Sequence, residues 1–320
     1  MSVRADADAV TNGRFATDRP ENGQKIIVAA RSGDQDRVRQ LLAAGAPLEC
    51  TDVEEKTALM WACKEGWTNI IMLLIQEGAD VDFANRHGAT ALIEASLWGQ
   101  TNAVELLLRS GADPNARERV LGATALMYAS FTGHAAIAEL LLNHGAEVDA
   151  ADKNGRTPLL EAAYIGDASI VKLLLDHGAH VNGRNAYGTT PLLAASVIGH
   201  PQIAALLVER GAEVNARNKY GKTPLLEAAL AGCEPTVLLL LSKGAESAAV
   251  DGNGRTASML AETAGHLSLA RLLGRVEWKE RHSRGLRNQL LKTGFSGVVP
   301  HGSGGTRKLP SPDSSFECAL

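Results

Sequence analysis

Short apolar clusters alternate with polar turns along this chain at a fixed interval. The segment Gly155–Asn185, GRTPLLEAAYIGDASIVKLLLDHGAHVNGRN, shows the unit. Leu159, Leu160, Ala162 and Ala163 have the spacing of a short helix. Thr157 suits the cap before it, and Pro158 suits its first turn, where a missing N–H loses no bond. Gly166 closes that element. Ile170, Val171, Leu173, Leu174 and Leu175 predict a second helix ending at Gly178, a natural left-handed terminator. AHVNGRNAYG then reads as an extended, turn-rich finger leading to the next unit.

The pattern recurs. Gly33, Gly66, Gly99, Gly133, Gly166, Gly199, Gly232 and Gly265 are separated by 33 residues, except for one step of 34. Gly45, Gly78, Gly111, Gly145, Gly178, Gly211 and Gly244 keep the same register, each followed by alanine. So do Thr57, Thr90, Thr124, Thr157, Thr190, Thr223 and Thr256. Three residue types in one register define a repeat protein. One unit cannot bury its apolar face alone, whereas stacked units can, each touching only its neighbours.

The segments TPLLEAAYIGD…LLLDHGAHVN, TPLLAASVIGH…LLVERGAEVN and TPLLEAALAGC…LLLSKGAE resemble the ankyrin repeat pattern over about residues 23–275, in eight copies. The resemblance implies an all-α solenoid of helix-turn-helix units joined by β-hairpin-like fingers. One departure is systematic: Met60, Ile93, Met127, Leu160, Leu193, Leu226 and Met259 stand where that family usually has histidine. Packing is expected to replace the side-chain hydrogen bonds of that histidine. The end copies are irregular, with Gln24-Lys25 in place of Thr-Pro and Ser258 at an otherwise apolar position. The expected organisation is a flexible segment at 1–22, a repeat array at 23–276 and a basic helical exit at 277–292. A disordered tail, biased to Gly, Ser and Pro, takes 293–320.

Composition sharpens this. Hydrophobic residues make 45% of the 320-residue chain but aromatic ones only 4%. Thin layers closed by Leu, Ala and Gly fit that balance better than two thick globules. The formal charge of −4 gives no whole-chain case for nucleic acid or an anionic membrane. The array carries −7 and residues 275–292 carry +4. No run reaches the ~18 apolar residues of a membrane helix, and MSVRADADAV lacks the apolar core of a signal peptide. Cys50, Cys63, Cys233 and Cys318 include no C-x-x-C pair, so neither zinc nor a disulfide framework is implied, and an intracellular setting (cytoplasmic or nuclear) is expected.

Catalysis needs groups that converge, and a solenoid spreads equivalent residues along a line. Glu94, Glu161 and Glu227 share one repeat position in alternate copies, roughly 20 Å apart at ~8–10 Å per layer. His134, His200 and His266 are separated alike and read as turn histidines bonded to neighbouring backbone. Neither an enzyme nor a cofactor is expected.

The informative positions lie four, seven and eight residues after each motif threonine, where helical spacing makes a shared face. The family resemblance implies that this face lines a concave groove with the finger tips, where partners usually bind. It carries Trp61, Glu94, Leu97, Trp98, Tyr128, Phe131, Glu161, Tyr164, Ile165, Val197, Ile198, Glu227 and Leu230, and the fingers add Leu121, Tyr187 and Tyr220. Seven of the chain's aromatic residues are in that set, and such residues are enriched at interface hot spots. The bland alternative is that the rings fill space between helices. The glutamates, as an exposed ladder, would favour Arg or Lys on a partner.

The sequence therefore predicts a monomeric, non-enzymatic scaffold or adaptor holding an extended peptide or helix of another protein, with apolar anchors and basic flanks. No nucleic acid or membrane insertion is expected. The rival reading is a regulatory or targeting subunit of an enzyme complex that uses both groove and tail. The finger asparagines Asn115, Asn182 and Asn215 stabilise turns or, as the resemblance implies for some members, accept a hydroxyl group.

Overall fold

A computed structural model describes residues 19–292, with side chains over 21–282. Of the segment expected to be flexible at 1–22, residues 1–18 lie outside the described residues, as does the expected 293–320 tail. Arg19 to Gln24 are helical, so the first helix begins before residue 23.

Sixteen helices and no strand are found among the described residues. They run α1 (Arg19–Ser32), α2 (Gln35–Ala43), α3 (Ala58–Glu65), α4 (Thr68–Gln76), α5 (Ala91–Leu97), α6 (Thr101–Arg109), α7 (Ala125–Thr132) and α8 (Ala135–Asn143). The second half comprises α9 (Pro158–Ile165), α10 (Ala168–Asp176), α11 (Pro191–Ile198), α12 (Pro201–Glu209), α13 (Pro224–Leu230), α14 (Glu234–Ser242), α15 (Ala257–Thr263) and α16 (Leu267–Lys292). Each odd-numbered helix packs on the next odd one and, through α13, on its own even partner; the even helices stack from α2 to α14. The chain divides into two compact units at Glu277/Trp278. The first is this stack. In the second, the Trp278 ring lies on His282 at 4.0 Å.

The start of each short helix follows from the motif threonine. In an extended conformation, the Thr57, Thr90, Thr124, Thr157, Thr190, Thr223 and Thr256 hydroxyls accept from the backbone N–H three residues on. Each such cap is worth about 1 kcal/mol. Pro158, Pro191 and Pro224 occupy the first turn. Of the residues in the histidine slot, Met60, Ile93, Met127, Leu160, Leu193 and Leu226 are buried; Met259, in the last short helix, is exposed.

The layers are closed by aliphatic side chains. Leu107, Leu126, Ile137, Leu141, Leu159, Leu174, Leu207 and Leu240 are inaccessible to solvent. Cys63 joins them, and its burial pushes the thiol far above its ordinary pKa, with nearby Glu94 adding to the effect. A Cys50→Ser/Cys233→Ser/Cys318→Ser variant is therefore expected to leave a chain whose remaining thiol reacts with Ellman's reagent only as it unfolds. Burst labelling of folded protein would show Cys63 to be accessible.

The fingers are turns. Each closes on an acidic or amide side chain: Asn85 Oδ1 accepts from the N–H groups of His87 and Ala89, and Asp52, Asp152, Asn185, Asn218 and Asp251 repeat the arrangement. The fingers have the expected hairpin-like form, closed within each finger by pairs such as Asn85 N–H to Ala89 O and Gly88 N–H to Asn85 O, but no strand forms among the described residues because neighbouring tips share one backbone bond. Lys153 N donates to Leu121 O, Ala186 N to Asn154 O, Lys219 N to Tyr187 O and Gly252 N to Tyr220 O. A ladder needs more than one.

The single 34-residue step is placed by the same geometry. The finger from Glu118 closes on Ala123, five residues on, where the others close on the fourth. Glu118 is the one glutamate in a series of Asp and Asn, and its buried carboxylate accepts from Val120, Leu121 and Ala123. One additional methylene spans the one additional residue.

Candidate partner-binding face

The three helix positions chosen by spacing do not share one environment. Residues seven and eight after the threonine are exposed on the short helices: Trp98, Phe131, Tyr164, Ile165, Val197 and Ile198. Leu97 and Leu230 are half-buried. The residue four after the threonine lies beneath the finger instead. Trp61 is 1% exposed, and Glu94, Glu161 and Glu227 are 7%, 6% and 6% exposed. Tyr128, at the same position, is half-buried, and burial raises its phenol pKa, with Glu118 and Glu94 contributing.

Trp61 is therefore a packing residue rather than a surface ring. Its Nε1 donates to Asp52 Oδ2 at 2.7 Å, and the cations of Arg31, Lys64 and Lys56 stand 4.1, 4.5 and 5.1 Å from its ring centroid. Lys64 also lies 4.7 Å from the Trp98 ring. The Asp52 bond and the Lys56 contact tie the finger to α3, and the Arg31 contact ties α1 to it.

The glutamates do not form an exposed ladder. Lys56 Nζ lies 3.0 Å from Glu94, Arg156 Nη1 lies 2.9 Å from Glu161, and Lys222 Nζ lies 3.0 Å from Glu227. Arg156 also holds Asp152 at 3.0 Å. Buried carboxylates require such partners. The cation is the residue just before the motif threonine. Glu161 and Glu227 take it from their own repeat; Ala89 precedes Thr90, so Glu94 takes Lys56 from the previous finger. Burial pushes the Glu161 carboxyl above its ordinary pKa, against the pull of Arg156 and with help from Asp152. The basis for basic flanks on a partner is thus removed, because these charges are already matched within the chain.

What faces solvent is a mainly apolar strip between the short helices and the finger tips. Leu121, Tyr187 and Tyr220 add exposed finger side chains to it. Two hollows indent the strip on either side of Phe131, Arg156 and Glu161. One, about 230 Å3, lies against Leu121, Met127 and Tyr128. The other, about 400 Å3, lies against Leu160, Tyr164, Asn185, Ala194 and Val197.

The turn histidines take a different role from the one expected. His134, His200 and His266 lie against Gly99, Gly166 and Gly232 of the preceding repeat, within 2.7 Å of where a side-chain carbon would stand. The buried His200 Nε2 has no hydrogen-bond partner. The finger asparagines use both ends of their amides. Asn115, Asn182 and Asn215 accept from Glu147, Glu213 and Glu246 N–H groups and donate to the Gly145, Gly211 and Gly244 carbonyls of the next repeat. Among the described residues no cluster of His, Cys, Asp and Glu could hold a metal, and no helix is long and apolar enough to cross a membrane.

Capped short helices, glycine-stopped long ones and interlocking fingers define a helical-repeat stack. The ankyrin repeat family profile matches in three copies, over residues 26–118, 116–185 and 161–251. The chain belongs to the ankyrin repeat family, whose repeats are in general protein–protein interaction modules. The comparison with curated proteins gave no match.

Proposed function

We propose that this chain is a non-enzymatic scaffold or adaptor that holds a segment of another protein along the strip between its short helices and finger tips. The observation that supports this reading is the run Phe131, Tyr164, Ile165, Val197 and Ile198, all exposed on consecutive short helices beside two hollows. Large apolar side chains gathered on one face of a soluble domain mark an interaction surface, and aromatic ones anchor it best. None of these side chains fills the stack, which is closed beneath them by Leu159, Ala162, Ala163, Leu192 and Ala195.

The test compares wild type with a Trp98→Ala/Phe131→Ala/Tyr164→Ala variant as bait in cell lysate. These side chains are about half exposed, so the variant is expected to keep its helical circular dichroism and to lose the proteins the wild type retains. A folded variant that keeps every partner overturns the proposal.

A further inference from the structure

The charge around the strip differs in sign from the charge of the array. Along α5 to α13 the carboxylates on the short helices, Glu94, Glu161 and Glu227, are buried and paired. In the finger tips the carboxylates are Glu118 and Asp152, also buried and occupied by turn N–H groups. The exposed charges in those tips are cationic: Arg86, Arg119, Lys153 and Lys219. Arg86 pairs with Glu55 of the preceding finger. Arg119, Lys153 and Lys219 form no ion pair with any described residue. Lys153 stands beside the smaller hollow, its backbone N–H bonded to Leu121 O and its ammonium to the Arg119 and Val120 carbonyls. Lys219 is bonded through its backbone to Tyr187. The exposed carboxylates lie elsewhere, in the finger segments before the tips (Asp80, Asp82, Asp113, Glu147 and Glu213) and on the long helices (Glu139, Glu209 and Glu234).

We infer that the segment held by this strip is acidic, an extended stretch with Leu or aromatic anchors and Asp or Glu side chains facing Arg119, Lys153 and Lys219. The inference rests on the partner-binding reading above and adds the chemistry of the partner. Three unmatched cations along one rim reward a negative partner and repel a basic one, which sets specificity as well as encounter rate.

The probe is a displayed library of random 16-residue peptides, selected on the full chain and counter-selected on a folded Phe131→Ala/Tyr164→Ala variant. Peptides that depend on the strip are expected to combine Asp or Glu with Leu, Phe, Trp or Tyr. Their affinity should fall about tenfold on Arg119→Gln/Lys219→Gln substitution, and by a similar factor between 50 and 500 mM NaCl. The salt series on wild type needs no variant, so loss of fold cannot imitate the result. Strip-dependent peptides that are basic or neutral, with salt-insensitive affinity, overturn the acidic partner and leave the strip as a binding surface. Peptides that bind the Phe131→Ala/Tyr164→Ala variant equally well, or no selection at all, overturn both. Strip-dependent binding of an oligothymidine 20-mer, or a dimer in sedimentation that this variant dissolves, names a different occupant and also overturns the inference.

Discussion

Gly221→Ala is expected to destabilise the array by about 2–4 kcal/mol, while Gly254→Ala, at the same position one repeat later, costs only the ~1–2 kcal/mol of its backbone conformation. Both glycines have left-handed backbone, with φ of 72° and 74°. An alanine pays the same conformational penalty at either, ~1–2 kcal/mol. Their surroundings differ. A side-chain carbon on Gly221 would stand 2.9 Å from the backbone nitrogen of Gly252, whereas one on Gly254 meets nothing within 4 Å. Gly252 N–H donates to Tyr220 O at 2.8 Å, the bond that joins these two fingers. No rotamer change relieves a backbone clash, so the fingers must part. Urea melts of the two variants measure the difference directly, and equal midpoint shifts would show that the contact between fingers contributes nothing.

Arg156→Ala is the second large effect, about 2 kcal/mol at pH 7. That is below the ~3–5 kcal/mol for a fully buried pair, because the Arg156 side chain is 38% exposed. The substitution strands Glu161 and Asp152, both buried. The pH dependence has a definite sign. The Glu161 carboxyl is raised in the folded state above its ordinary 4.5. Folded protein therefore holds that proton more tightly than unfolded protein, and this contribution to stability is lost as pH rises from 4.5 through the folded value. Removing Arg156 takes away the attraction that limits the rise, so the loss in the variant extends toward neutral pH. Melts across pH 4 to 8 should show the Arg156→Ala deficit shrinking on acidification, and Glu161→Gln in the same background should flatten it. A deficit independent of pH would assign the effect to lost packing of the guanidinium stem.

Much of this architecture is legible in the residue pattern. The threonine series predicts seven capped helices, and each threonine side chain makes the cap bond. Burial of the residue four after each threonine was not legible from helical spacing. In helices of seven or eight residues the wheel argument places that residue with the exposed positions seven and eight, but the finger folds over the first turn and covers it. A signal was present: Arg156 and Lys222 precede Glu161 and Glu227 by five residues, a cation and an anion in fixed relation within one repeat. The positive rim was hidden for a related reason. Net charge sums over all surfaces, so the buried carboxylates and those in the finger segments and long helices mask the cations of the tips.

The hairpin at Glu118 shows how such a chain can change length without losing phase. One residue is added at a tip, one methylene spans it, and Thr124 caps its helix as the other motif threonines do. The helices on either side keep their register. Insertions at these tips leave the packed layers undisturbed and alter only the border of the hollows beside Leu121 and Lys153. The added residue thus falls where it reshapes an exposed surface and not where it would disturb the packed layers, so the outline of that surface and the stability of the stack are set by different residues.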